Sequence, residues 1–130
     1  MSYYFSKVLN VAFDDAVSKV TTGLQEEGFG VLSEIDVQAT LKKKLNADMP
    51  RYKILGACHP TSAYQALQVE DKIGTMLPCN VIVQERADSV EVSAVDPVAS
   101  MQAIANPALK DVAEQVRAKL KSTIEHLTSS

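Results

Sequence analysis

The chain has 130 residues and a formal net charge of −3, with 46% apolar and 22% charged residues. These values exclude a disordered tail and a fibrous repeat, and they leave one domain, 1–130, with enough apolar material for a core. The acidic balance lacks the basic excess of a nucleic-acid surface, so no nucleic-acid partner is expected. No window approaches the ~18 uninterrupted apolar residues of a membrane span, and the N-terminal segment has no basic stretch followed by an apolar one. A cytoplasmic chain with no membrane partner is the expectation.

Residues 3–10 carry Tyr3, Tyr4, Phe5 and Val8 in weak alternation and predict a strand. A helix follows over residues 12–27. Asp14 and Asp15 suit the positive end of its dipole, and Phe13, Val17, Val20 and Leu24 recur at three- and four-residue steps. Gly28 is its natural stop. Residues 29–37 predict a second strand, with Phe29, Val31, Ser33 and Ile35 on one face and Leu32 and Glu34 on the other. Asp36 is placed to cap a short helix through Leu41 and Leu45, closed by Asn46 and Pro50. Its run Lys42-Lys43-Lys44 reads as a solvated face rather than a phosphate site.

Residues 51–58 predict a third strand, on the apolar run Ile54-Leu55-Gly56-Ala57. Pro60 fits the first position of a helix reaching about Asp71, with Ala63, Ala66 and Leu67 inward, and Gly74 breaks the pattern. Residues 77–85 and 90–95 predict two strands joined as a hairpin through Asp88-Ser89. Asp96-Pro97 ends the second of them. Asn106 is an N-cap for a helix over 107–127, striped by Leu109, Val112, Ala113, Val116, Leu120, Ile124 and Leu127. Met49, Met76 and Met101 read as core fillers, and His126 suits the negative end of the last helix. The order β-α-β-(α)-β-α-β-β-α predicts an α+β fold. It has a single mostly antiparallel five-stranded sheet with helices packed on one face. The other face is left to short helices or a second subunit.

Chemistry concentrates at Gly56-Ala57-Cys58-His59-Pro60, where a strand ends, a thiol and an imidazole follow, and a proline opens a helix. Unpaired N–H groups at that helix start would favour Cys58 as thiolate. Leu77-Pro78-Cys79-Asn80 is the second such segment. If the third and fourth strands are antiparallel neighbours, Cys58 and Cys79 share one edge of the sheet; a parallel crossover would send them to opposite ends. Without a secretory signal both cysteines are expected reduced. Two thiols without a CxxC cannot make a four-cysteine zinc site.

A functional reading makes Cys58 and Cys79 a thiol pair with His59 and Asn80 as auxiliary polar groups. Cys58, Cys79 and His59 are then the candidate ligands of a soft metal such as copper or zinc, and sulfane sulfur is an alternative cargo. The plain reading makes both cysteines small buried hydrophobes and His59 a helix cap or surface residue. No catalytic residue can be named. Asp14-Asp15 and Glu26-Glu27 diverge around their helix, and GxGxxG, Walker, HExxH and GxSxG patterns are absent. The function expected is a thiol-based binding or relay module, or else a structural and protein-interaction module acting as a homodimer.

Gly28-Phe29 through Ile35-Asp36-Val37, Tyr52-Lys53-Ile54-Leu55-Gly56-Ala57-Cys58-His59-Pro60, Ile73-Gly74, Leu77-Pro78-Cys79-Asn80-Val81, Asp96-Pro97 and Met101 resemble the domain of unknown function family 302 over nearly the whole chain. Of these, GACxP and LPCNV are the most specific. The family pattern carries asparagine more often where this chain has His59. The resemblance implies a TBP-like β-α-β(4)-α arrangement and a homodimer, and it supplies no biochemical activity.

Overall fold

The computed structural model describes residues 2–130. Its sheet is built from β1 (Tyr4–Leu9), β2 (Gly30–Asp36), β3 (Tyr52–Cys58), β4 (Cys79–Glu85) and β5 (Val90–Val95), in the spatial order β1-β5-β4-β3-β2. Every neighbouring pair is antiparallel. The helices are α1 (Phe13–Glu26), α2 (Val37–Leu45), α3 (Pro60–Val69), α4 (Pro97–Ser100) and α5 (Leu109–His126), with a 3-10 turn at Asp71–Met76.

The core lies between one face of the sheet and helices α1 and α5. Leu55, Ala57, Val81, Val83, Val92 and Ala94 point to it from alternate strand positions, as a pleat of period two requires. Val20 and Leu24 of α1, with Leu120 and Ile124 of α5, meet them from the helical stripe. The outer face carries Tyr4, Ile35, Tyr52, Ile54, Asn80 and Ile82. Of these Tyr4 and Ile35 are openly exposed and Tyr52, Ile54 and Ile82 are half-buried.

Local signals set most of the boundaries. In α1, Gly28 takes φ +89°, the N–H of Phe29 donates to Leu24 O at 2.9 Å, and the N–H of Gly28 donates to Gln25 O at 3.0 Å. This is a Schellman closure, and it brings Phe29 back beside Leu24. Asp36 caps α2 by accepting from Ala39 N–H at 2.9 Å, and Asn46 ends it in the left-handed region at φ 53°. Lys42, Lys43 and Lys44 are exposed on that helix.

Five expectations are corrected. The face assignment of the second strand fails after Val31, because Leu32 is an extra residue in a bulge between Val31 and Ser33. Phe29 and Val31 face the core, whereas Ser33 and Ile35 turn to the outer face. The third predicted helix ends at Val69, and the 3-10 turn follows where only a break at Gly74 was expected. Asp96-Pro97 does more than end β5. The Asp96 carboxylate accepts from Val98 N–H at 3.0 Å and starts α4, with Pro97 in its first turn. The last helix begins at Leu109 rather than 107, Asn106 Oδ1 accepting from Ala108 N–H at 3.0 Å in the turn before it. Met76 is no core filler. It is 41% exposed at the end of the 3-10 turn.

Candidate functional site

The β3–β4 register settles the two sequence alternatives for the cysteines. Ala57 stands opposite Cys79, so Cys58 lies one residue beyond that pair at the same end of the sheet. Both cysteines line one cavity of about 350 Å³, bounded by α3, the 3-10 turn and α5. Its walls are almost wholly hydrocarbon: Phe29, Ala63, Ala66, Leu77, Val112 and Val116 among them. Two glycines let the strands and loops close up here. A Cβ on Gly56 would stand 2.8 Å from Pro78 Cγ, and one on Gly28 would meet His59 Nε2 at 3.0 Å.

The thiols are not equivalent. Cys79 is buried on the core side of the sheet, next to Val81 and Val83 in the pleat, whereas Cys58 is partly exposed. Burial pushes the Cys79 thiol up to about 11, and the charge of Cys58 adds to the rise. Cys58 stands two residues before the first turn of α3, whose N-cap is His59 and whose first helical residue is Pro60.

His59 is held in its cap. Its Nδ1 accepts from Ser62 N–H at 3.4 Å and lies 2.9 Å from Ser62 Oγ, and its ring meets Phe29 edge-on with centroids 5.4 Å apart. An Nδ1 that accepts leaves the proton on Nε2. Burial, then the charge of Lys119, lowers the His59 pKa. Stability contributed by the neutral ring is therefore present above its ordinary value of 6.5 and lost as pH falls through the lowered one. His59→Ala should cost about 1 kcal/mol through the lost cap. His59→Asn, which restores a cap acceptor, should recover most of that in urea unfolding at pH 7 and remove the acid-side loss.

Asn80 is not part of this group. It pairs with Gly56 across the strands, is exposed, and lines the outer face of the sheet with Tyr52, Ile82 and Ser93. Nor do Cys58, Cys79 and His59 form a three-ligand centre. Among the described residues no group of three or more His, Cys, Asp or Glu side chains could hold a metal ion.

Three contributors to this region were not singled out for it in the sequence. Ser62, 4% exposed, locks His59. Leu32, 70% exposed, is swung to the cavity rim by the bulge. Lys119 stands three residues beyond Val116 on α5. Its signal was a lysine beside the apolar stripe; the bulge had none.

Fold and site together define a small α+β domain with a half-open apolar cavity at one end of an antiparallel sheet, two thiols on its lining. The chain belongs to the family described as domain of unknown function DUF302, which matches residues 5–127. A crystal structure of an uncharacterized conserved DUF302 protein from Bacillus stearothermophilus has the same fold, with a TM-score of 0.89. The two chains are 23% identical, and the match covers 96% of this chain and 98% of that one. No curated protein matches this chain. Among the described residues no helix is long and apolar enough to cross a membrane.

Proposed function

We propose that this chain is a small cytoplasmic binding module whose site is the apolar cavity at the β3–β4 end of the sheet, with Cys58 as its accessible thiol and Cys79 as a buried second thiol. The observation that carries the reading is the cavity itself. It is of ligand size, open at one side, and lined by apolar groups with few polar ones, the usual make-up of a small-molecule site. Such a lining suits a guest with an apolar body.

Alkylation of the native chain tests it. Cys58 should label while the protein is folded, whereas Cys79, at about 11, is thiolate in only about one molecule per thousand at pH 8 and should label after unfolding. A guest in the cavity should slow the Cys58 reaction. Failure of both cysteines to label before unfolding would sink the thiol part of the reading. Copper or zinc retained in stoichiometric amount after anaerobic purification would replace it with a thiolate metal site.

A second reading, an interaction module acting as a homodimer, is favoured by the outer sheet face. Tyr4, Ile35, Ile54 and Ile82 form apolar surface there that no helix-side core residue covers. Sedimentation across a hundredfold concentration range separates it from the first, since a dimer through this face would dissociate on dilution and gain no protection from a cavity guest.

A further inference from the structure

β1 stands at the end of the strand order, and one hydrogen bond fixes which of its residues face outward from the sheet. Asp96 N–H donates to Tyr3 O at 2.7 Å, so Tyr3 and Asp96 form a hydrogen-bonded pair. Bonded and non-bonded pairs alternate along an antiparallel ladder. With Tyr4 opposite Val95 and Leu9 opposite Val90, the residues bonded to β5 are Phe5, Lys7 and Leu9. Tyr4, Ser6 and Val8 therefore turn their backbone N–H and C=O groups away from β5. Tyr4 bears this out, because its groups are served by Ser2: Ser2 Oγ donates to Tyr4 O at 2.8 Å and accepts from Tyr4 N–H at 3.3 Å. Among the described residues the outward groups of Ser6 and Val8 have no partner. The side chains of Tyr4 and Val8 are 44% and 56% exposed, so no other element lies over these positions.

The sequence of β1 is complementary to itself when two copies run antiparallel. An axis at Ser6 sets Ser6 opposite the partner's Ser6, Tyr4 opposite the partner's Val8 and Phe5 opposite the partner's Lys7. Every outward residue then gains a bonded pair, and apolar side chains meet apolar ones. An axis at Lys7 would set two ammonium side chains opposite one another, which is unfavourable. An axis at Phe5 would leave Val8 beyond the partner's strand. A lysine on an edge often discourages such pairing. Here Lys7 Nζ is drawn aside to Glu125 O in the last turn of α5, at 2.9 Å. Ser2 is exposed, so water can take over the bonds it gives up.

We propose that two copies of this chain join edge to edge through β1, antiparallel about an axis at Ser6, so that two five-stranded sheets continue as one. A pair of this kind is closed by its two-fold symmetry and adds no third copy. The inference rests on the self-association of the second reading and gives it a different surface, the strand edge in place of the outer face. The cavity reading is independent of it.

Sedimentation and amide hydrogen exchange of the native chain, both followed from micromolar to millimolar protein, test the proposal. As dimer forms, the amides of Ser6 and Val8 should slow by at least about tenfold, whereas those of Phe5 and Lys7, bonded to β5 in either state, should not change. Val8→Pro removes an outward N–H and no bond to β5, and it should weaken the dimer by at least about tenfold. Val8→Thr keeps the N–H and the branched side chain and should stay within about threefold of the native chain. Continued protection of Phe5 and Lys7 reports that each variant is folded. A dimer that forms without slowing Ser6 and Val8, or that ignores Val8→Pro, would overturn the edge assignment while self-association stands. A monomer at every concentration would overturn both.

Discussion

Replacing Gly56 by alanine is expected to lower stability by about 1–3 kcal/mol, and by valine more, because the space for a side chain is already filled. A Cβ there would come within 2.3 Å of Ser33 Oγ and 2.8 Å of Pro78 Cγ. The serine hydroxyl sits on an exposed residue and can rotate away; the proline ring is tied to the backbone and cannot. The double variant Gly56→Ala with Ser33→Ala should therefore recover only a small part of the loss in urea unfolding. Full recovery would mean that the proline is not the obstacle. The consequence reaches the site, because Pro78 immediately precedes Cys79 and Gly56 lies two residues before Cys58. Displacing either segment shifts one thiol relative to the other, so Cys58 alkylation should change in the same variant.

Cys79 should make the protein sensitive to alkali. Folding holds its proton up to about 11 against an ordinary value of 9.0. Below pH 9 both folded and unfolded chains keep the proton and the contribution is complete. Between pH 9 and 11 the unfolded chain releases it and the folded one does not, so unfolding gains about 1.4 kcal/mol per pH unit from this group. Over that window the loss amounts to about 2–3 kcal/mol, and it levels off once the folded thiol also ionises. Unfolding free energies of the native chain and of Cys79→Ala, measured from pH 8 to 11, isolate the effect, since tyrosines and lysines titrate alike in both. The native chain should fall more steeply by about that amount. Parallel curves would show that the thiol is not held in hydrocarbon.

The fold was legible in the sequence wherever the signal was periodic or chemically local. The stripe from Val112 to Leu127, Gly28 as a stop, Asp36 as a cap and the Pro60 helix start all act through neighbours a few residues away. Whether β3 and β4 pair antiparallel was left open by the sequence, because a helix separates them in the chain; the register takes the antiparallel alternative and puts Cys58 and Cys79 at one end of the sheet. The bulge at Leu32 was not legible, since one extra residue leaves strand-forming composition unchanged while inverting every later side chain. Asn80 illustrates the same limit on the site. Adjacent to Cys79 in the chain, it points to the other side of the pleat and leaves the cavity. Lys119 could not be assigned either, because its relation to His59 exists only once α5 lies across the end of the sheet.

The irregularity in β2 also bears on how two molecules could join. β2 is an outer strand, and its extra residue interrupts the even ladder of donors and acceptors that a second chain would need in order to zip alongside. Lateral growth of the sheet is thus blocked on that flank, next to the cavity mouth. Any self-association that leaves the mouth free must use β1 or the broad outer surface instead, so a molecule could hold a guest and a twin at once.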